Sequence, residues 1–164
     1  MAWLGAKIQQ LDSPVAAQGR ANNMSEQYVF CTSKDSLNFH PDNNSHSFIV
    51  ELPYLLTFSG DWECGLVDVK FETLTPIQIP VINICSDLCV NSCLGSERVP
   101  ILRRLLHPNQ PLVNPYYIRL ARDQIQRFRI YLMYDTRTVE SLPLTKLYCT
   151  LHFRKCLGNR SFRM

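Results

Sequence analysis

Cys85, Cys89 and Cys93 recur every four residues and are the first side chains in this chain whose spacing could do chemistry. Thiolates so placed hold zinc when a second pair of ligands closes the tetrahedron. Here that pair would have to be Cys149 with His152 or Cys156, a spacing that standard zinc patterns do not use. The cysteines number seven, an odd count, and the start of the chain lacks the charged leader and apolar run of a signal peptide. They therefore read as reduced thiols, several of them filling core positions as small apolar residues. The four histidines, His40, His46, His107 and His152, form neither a His-x-His nor a His-Glu-x-x-His arrangement, which argues against a cupin-type oxygenase or isomerase. No phosphate-binding loop, dinucleotide glycine fingerprint or Gly-x-Ser-x-Gly elbow is present. Asp61, Glu63, Asp68 and Glu72 crowd one stretch, but acids also keep a strand edge solvated. No catalytic, cofactor-binding or metal-ligating residue is assigned, and the chain is not expected to be an enzyme.

Charge is distributed unevenly. Residues 1–102 carry five Lys/Arg and eleven Asp/Glu, a net of −6, whereas residues 103–164 carry twelve and three, a net of +9. A basic half invites nucleic acid or an acidic partner; alternatively the two halves neutralise each other within one fold. Arg127 and Arg129 flank Phe128, and Tyr116, Tyr117 and Arg119 follow one another, which could form an arginine and aromatic platform for single-stranded nucleic acid. The aromatics share the parity of the core residues, which favours ordinary half-exposed strands instead.

These side chains must be positioned by strands. The chain has 164 residues, 46% hydrophobic and 19% charged, enough for one packed domain and without a run of about 20 apolar residues to cross a membrane. Residues 1–25 are polar and small with no sustained period and read as an irregular N-terminal arm. Beyond it, apolar residues alternate: Phe48, Val50 and Leu52; Trp62, Cys64 and Leu66 after the Ser59-Gly60-Asp61 turn; Tyr116, Ile118 and Leu120; Phe128, Ile130, Leu132 and Tyr134; Leu147, Cys149, Leu151 and Phe153. Val67, Val69 and Phe71 take the opposite parity to Trp62, so a bulge re-phases that strand or both its faces are covered. His152 falls on the outward parity of the last strand and is expected at the surface. The stretch Val99–His107 is ambiguous between strand and a helical turn or two. At least six strands without alternating helices indicate an all-β sandwich, with immunoglobulin-like and jelly-roll topologies both open.

The order of several segments resembles one family. Phe48-Ile-Val-Glu-Leu-Pro, the link ending in Gly60-Asp-Trp-Glu63 and the strand to Phe71 look like the opening of the penton, or minor capsid, proteins of Polinton/Maverick elements and adintoviruses. Asn83 to Leu88, Gly95-Ser-Glu-Arg-Val-Pro-Ile-Leu-Arg103, Asn114-Pro-Tyr-Tyr117 and Leu151-His-Phe-Arg154 are similar to later segments of that family, so the likeness spans about residues 28–155. The resemblance implies a single jelly-roll β-sandwich of two antiparallel four-stranded sheets, at residues 26–158 between the arm and a short tail, 159–164. It also implies a structural virion protein that forms homopentamers at the fivefold vertices of an icosahedral capsid, beside a double jelly-roll major capsid protein. Such a protein is made and assembled inside the host cell.

The charge split suggests how copies would meet: acids such as Glu63 and Asp68 of one subunit approaching Arg119, Arg127 or Arg129 of the next, with contact to packaged DNA as the other use of the basic half. The competing expectation is a ligand- or nucleic-acid-binding β-sandwich module without catalysis, such as a lectin, because the same fold supports it.

Overall fold

The computed structural model describes residues 6–9, 25–36, 40–75, 81–108, 111–134, 137–138 and 143–156, the segments 6–9 and 137–138 by backbone alone. In chain order the elements are β1 (Ala6–Gln9), β2 (Glu26–Thr32), α1 (Ser33–Ser36), β3 (Ser47–Thr57), β4 (Trp62–Thr73), β5 (Ile82–Ser86), β6 (Ser92–Leu94), β7 (Glu97–Val99), β8 (Ile101–Leu105), β9 (Tyr117–Arg119), β10 (Gln124–Tyr134), β11 (Arg137–Thr138) and β12 (Leu144–Lys155).

Eight of these strands make a two-layer sandwich. One sheet runs β2–β12–β4–β9 and the other β3–β10–β5–β8, every pair antiparallel. Numbered among the eight, the sheets read 1-8-3-6 and 2-7-4-5, the order produced when two Greek keys roll up together. The sandwich is therefore a jelly roll, and the immunoglobulin-like alternative is set aside. Short β11 continues past the start of β3 along the same side of β10.

One stretch of the N-terminal arm departs from the expectation of irregular structure: Ala6–Gln9 forms β1, antiparallel to β2 with Lys7 opposite Phe30. The physical reason is the free edge of β2, whose unpaired backbone groups recruit any short extended segment within reach. The remainder of residues 1–24 and the tail 159–164 lie outside the described residues.

Most of the alternating residues pack where their parity puts them; Tyr116, just before β9, and Tyr134, the last residue of β10, are instead exposed because they stand at strand ends, past the core. Phe48, Val50, Leu52, Trp62, Cys64, Leu66, Phe128, Ile130, Leu132, Leu147, Leu151 and Phe153 fill one core between the sheets. The parity switch in β4 is a bulge: Leu66 and Asp68 oppose Leu151 and Thr150, leaving Val67 as the extra residue. The ambiguous segment Val99–His107 is extended as β7 and β8, with Leu102 and Leu105 buried. The β6–β7 hairpin covers the outer face of the second sheet, where Cys85, Leu94, Val99 and Met133 form a smaller apolar cluster.

Candidate functional site on the outer face of the first sheet

The register of four strands aligns one transverse row, Tyr28–His152–Gly65–Tyr117, across β2, β12, β4 and β9. Gly65 has no side chain, and Tyr117 lies across that gap. A Cβ built at Gly65 would stand 2.9 Å from the Tyr117 ring and 3.1 Å from the Tyr116 carbonyl oxygen. The glycine thus admits an aromatic residue from the neighbouring edge strand, the cross-strand device that compensates a glycine in a sheet. Tyr117 reaches over it to His152, placing its hydroxyl 2.7 Å from Nδ1. Tyr28 stacks on the other side of the imidazole at 4.3 Å and 8°.

His152 corrects the expectation of a surface residue. It faces outward from the sheet yet is only 6% exposed, because the rings on either side cover it. Its Nε2 is 3.0 Å from Glu26 Oε2. Burial pushes the Tyr117 phenol above its ordinary range, with the Arg154 guanidinium opposing, so the hydroxyl keeps its hydrogen. The Glu26 carboxylate only accepts, so Nε2–H donates to it, and Nδ1 shares the second hydrogen bond with the Tyr117 hydroxyl. Both nitrogens are taken by the protein, and the imidazole acts as a clasp joining β2, β12 and β9.

The next row repeats the arrangement with charge. Glu26, Arg154, Glu63 and Arg119 stand side by side across the same four strands, signs alternating. Arg154 bonds Glu63 and lies 3.4 Å above the centre of the Tyr117 ring, and Arg119 bonds Asp61. Oppositely charged neighbours across a sheet each contribute a few tenths of a kcal/mol, roughly 0.2–1.

Four of the five subunit-contact candidates have partners within the subunit. Glu63 is held by Arg154 and Arg119 by Asp61, while Arg127 lies 3.4 Å from Glu51. Arg129 donates to Ser47 Oγ from its guanidinium, at 2.7 Å from the nearer nitrogen, and its backbone N–H donates to Asp87. Asp68 alone of the five stands exposed without such a partner among the described residues. In four of the five Lys/Arg–carboxylate pairs among the described residues, an acid from residues 1–102 meets a base from residues 103–164. The two halves of the chain neutralise each other inside one fold. The arginine and aromatic platform does not form either, because Phe128 is 1% exposed in the core between its two paired arginines.

The cysteine run dissolves into three environments: Cys85 under the β6–β7 hairpin, Cys89 in the main core and Cys93 exposed on the hairpin. Among the described residues no group of three or more His, Cys, Asp or Glu is placed to hold a metal. A cleft of about 300 Å³ opens at the end of the sandwich where the β3–β4 and β9–β10 connections meet, lined by Phe58, Trp62, Asp61, Arg119, Arg122 and Asp123 among others. It does not include His152. No helix among the described residues is long and apolar enough to cross a membrane. Neither a protein-family model nor a curated protein matches the chain.

The row centred on Gly65 gives a sharp expectation. Gly65→Ala should lower stability by about 1–3 kcal/mol, since the displaced phenol leaves a buried imidazole nitrogen unpaired. Tyr117→Phe should cost much less in the Gly65→Ala background than alone, a coupling that chemical-denaturation midpoints of the double-mutant cycle measure directly.

Proposed function

We propose that this protein is a structural virion component, a penton or minor capsid protein of the Polinton/Maverick and adintovirus type, forming homopentamers at capsid vertices. The observation that carries this reading is the strand order 1-8-3-6 over 2-7-4-5, which is the fold that the resemblance of residues 28–155 implies. Support comes also from Arg119, Arg122, Arg127 and Arg154, each of which binds a carboxylate of the same sandwich. The function is mechanical: a rigid sandwich presents flanks to its copies and its outer surfaces to a double jelly-roll major capsid protein. Packaged DNA is a lesser partner, because four of the eight arginines whose side chains are described are already paired with carboxylates.

Mass measurement of the purified protein in solution, with images of the particles, tests the reading. Five-fold rings are expected. A monomer at all concentrations, or binding to nucleic acid whose affinity falls steeply with salt, would instead favour a binding module.

A further inference from the structure

A ring of identical copies needs two different, mutually complementary patches on each subunit. The two flanks of the sandwich are its natural sites, since there the outer strands of both sheets lie: β3 with β1, which covers the edge of β2, on one flank, and β8 and β9 on the other. Resting on the penton reading, we propose that the bulge of β3 on one subunit docks against the Val113–Tyr116 segment before β9 on the next.

The bulge is the first observation. β3 pairs with β10 through Glu51 opposite Arg127, and again through Leu56 opposite Ile125, so four residues of β3 span the place of one residue of β10. That excess pushes Pro53, Tyr54 and Leu55 outward in a strand that otherwise buries alternate residues. Tyr54 is 47% and Leu55 49% exposed. Bulges re-aim side chains, and this one aims an apolar pair at solvent.

The opposite flank carries its match. Val113 is 80% and Tyr116 63% exposed, on a segment held against β8 by Arg103, whose guanidinium donates to the Asn114 carbonyl at 2.9 Å. The tyrosines of the two patches lie toward the same end of the sandwich. Tyr54 and Leu55 come just before Thr57, at the end where β3 passes into β4, and Tyr116 packs beside Gly65, three residues into β4 from that end. Of nine large exposed hydrophobics among the described residues, Tyr54, Leu55, Leu106, Val113 and Tyr116 fall on these two flanks, a concentration typical of interaction surfaces.

Charge selects a second copy as the occupant. Toward the other end of the sandwich, Arg104 on β8 is exposed and has no carboxylate partner among the described residues. On the opposite flank at that end, the β2–β3 connection presents Asp42, exposed and without a cation partner among the described residues. Placed side by side, adjacent copies bring apolar patch to apolar patch and Arg104 to Asp42. This pairing differs from the one first expected, four of whose five residues are bonded within the subunit.

The test uses two full-length variants, Tyr54→Glu with Leu55→Glu, and Val113→Glu with Tyr116→Glu. Each leaves one flank intact. Circular dichroism and thermal melts should match those of the wild-type chain, because all four residues are exposed. Each variant alone should associate at least about 30-fold more weakly than wild type, the effect of losing one interface anchor. Mixed, they restore a single good interface and should form a 1:1 dimer at twice the chain mass, with no ring. Rings from wild type and from both variants would overturn the assigned surfaces while leaving the penton reading intact. A wild-type chain that remains monomeric at all concentrations overturns both. Variants that melt as wild type but fail to dimerise when mixed overturn the pairing of these two patches.

Discussion

Trp62→Ala is expected to destabilise the protein by about 3–5 kcal/mol, the usual loss for removing a large aromatic side chain from a core. Trp62 opens β4 with 7% exposure and packs against Phe58 at 4.8 Å between ring centres. Phe58 in turn stacks on Phe153 at 5.4 Å, so three aromatic rings close the core at the β3–β4 end. The indole Nε1–H donates to the Ser59 carbonyl at 3.1 Å and fixes the tight link in which Gly60 adopts φ of 88°. Alanine would empty the space beneath Phe58 and release that link together. Trp62→Phe should cost far less, since it keeps most of the volume and loses one hydrogen bond of about 1 kcal/mol. Urea denaturation of both variants measures the difference. A loss below 1 kcal/mol for Trp62→Ala would falsify the burial argument, as would indole emission like that of tryptophan in water once the signal of Trp3 is removed.

Alkaline pH is expected to be the other large perturbation. Burial pushes the Cys85 thiol from its ordinary 9.0 up to about 12, and burial likewise raises Cys31, Cys64 and Cys149 strongly. A thiol whose folded pKa is raised contributes fully below its unfolded pKa, and that contribution is lost as pH rises toward the folded value. The window is therefore roughly pH 9 to 12. At pH 10 each such thiol should cost on the order of 1 kcal/mol, because the unfolded chain ionises and the folded chain does not. Four together amount to several kcal/mol, a large fraction of the whole stability of many domains. Raised phenols at Tyr117 and Tyr131 act in the same direction at higher pH. Denaturation midpoints between pH 7 and pH 10.5 should fall steeply, and Cys85→Ala should recover on the order of 1 kcal/mol of the loss at pH 10. Native protein at pH 8 should correspondingly leave these four thiols unreacted with an alkylating agent while exposed Cys93 reacts. A flat pH profile would show the thiols are not buried in the folded state.

The sequence determined a good deal about this protein. Strand positions followed from period-two alternation, because each strand presents one face to a single core, and Phe48, Trp62, Phe128 and Leu151 are all buried as their parity required. The bulge in β4 was also legible, since Val67 interrupts that period. What stayed hidden depends on which strands become neighbours. Gly65, Tyr117, His152 and Tyr28 are far apart in the chain and form one row only because β2, β12, β4 and β9 pair in that order and register. The sole sequence signal there was a glycine inside a strand. The opposite charges of the two chain halves likewise could not be located on opposite flanks from sequence, since a jelly roll interleaves early and late strands in each sheet. That interleaving puts Arg119 beside Asp61 and Arg154 beside Glu63, so the asymmetry cancels within the subunit. Local alternation is a property of each strand by itself, whereas rows, ladders and flanks arise from pairing between strands distant in sequence, which only the assembled tertiary structure decides.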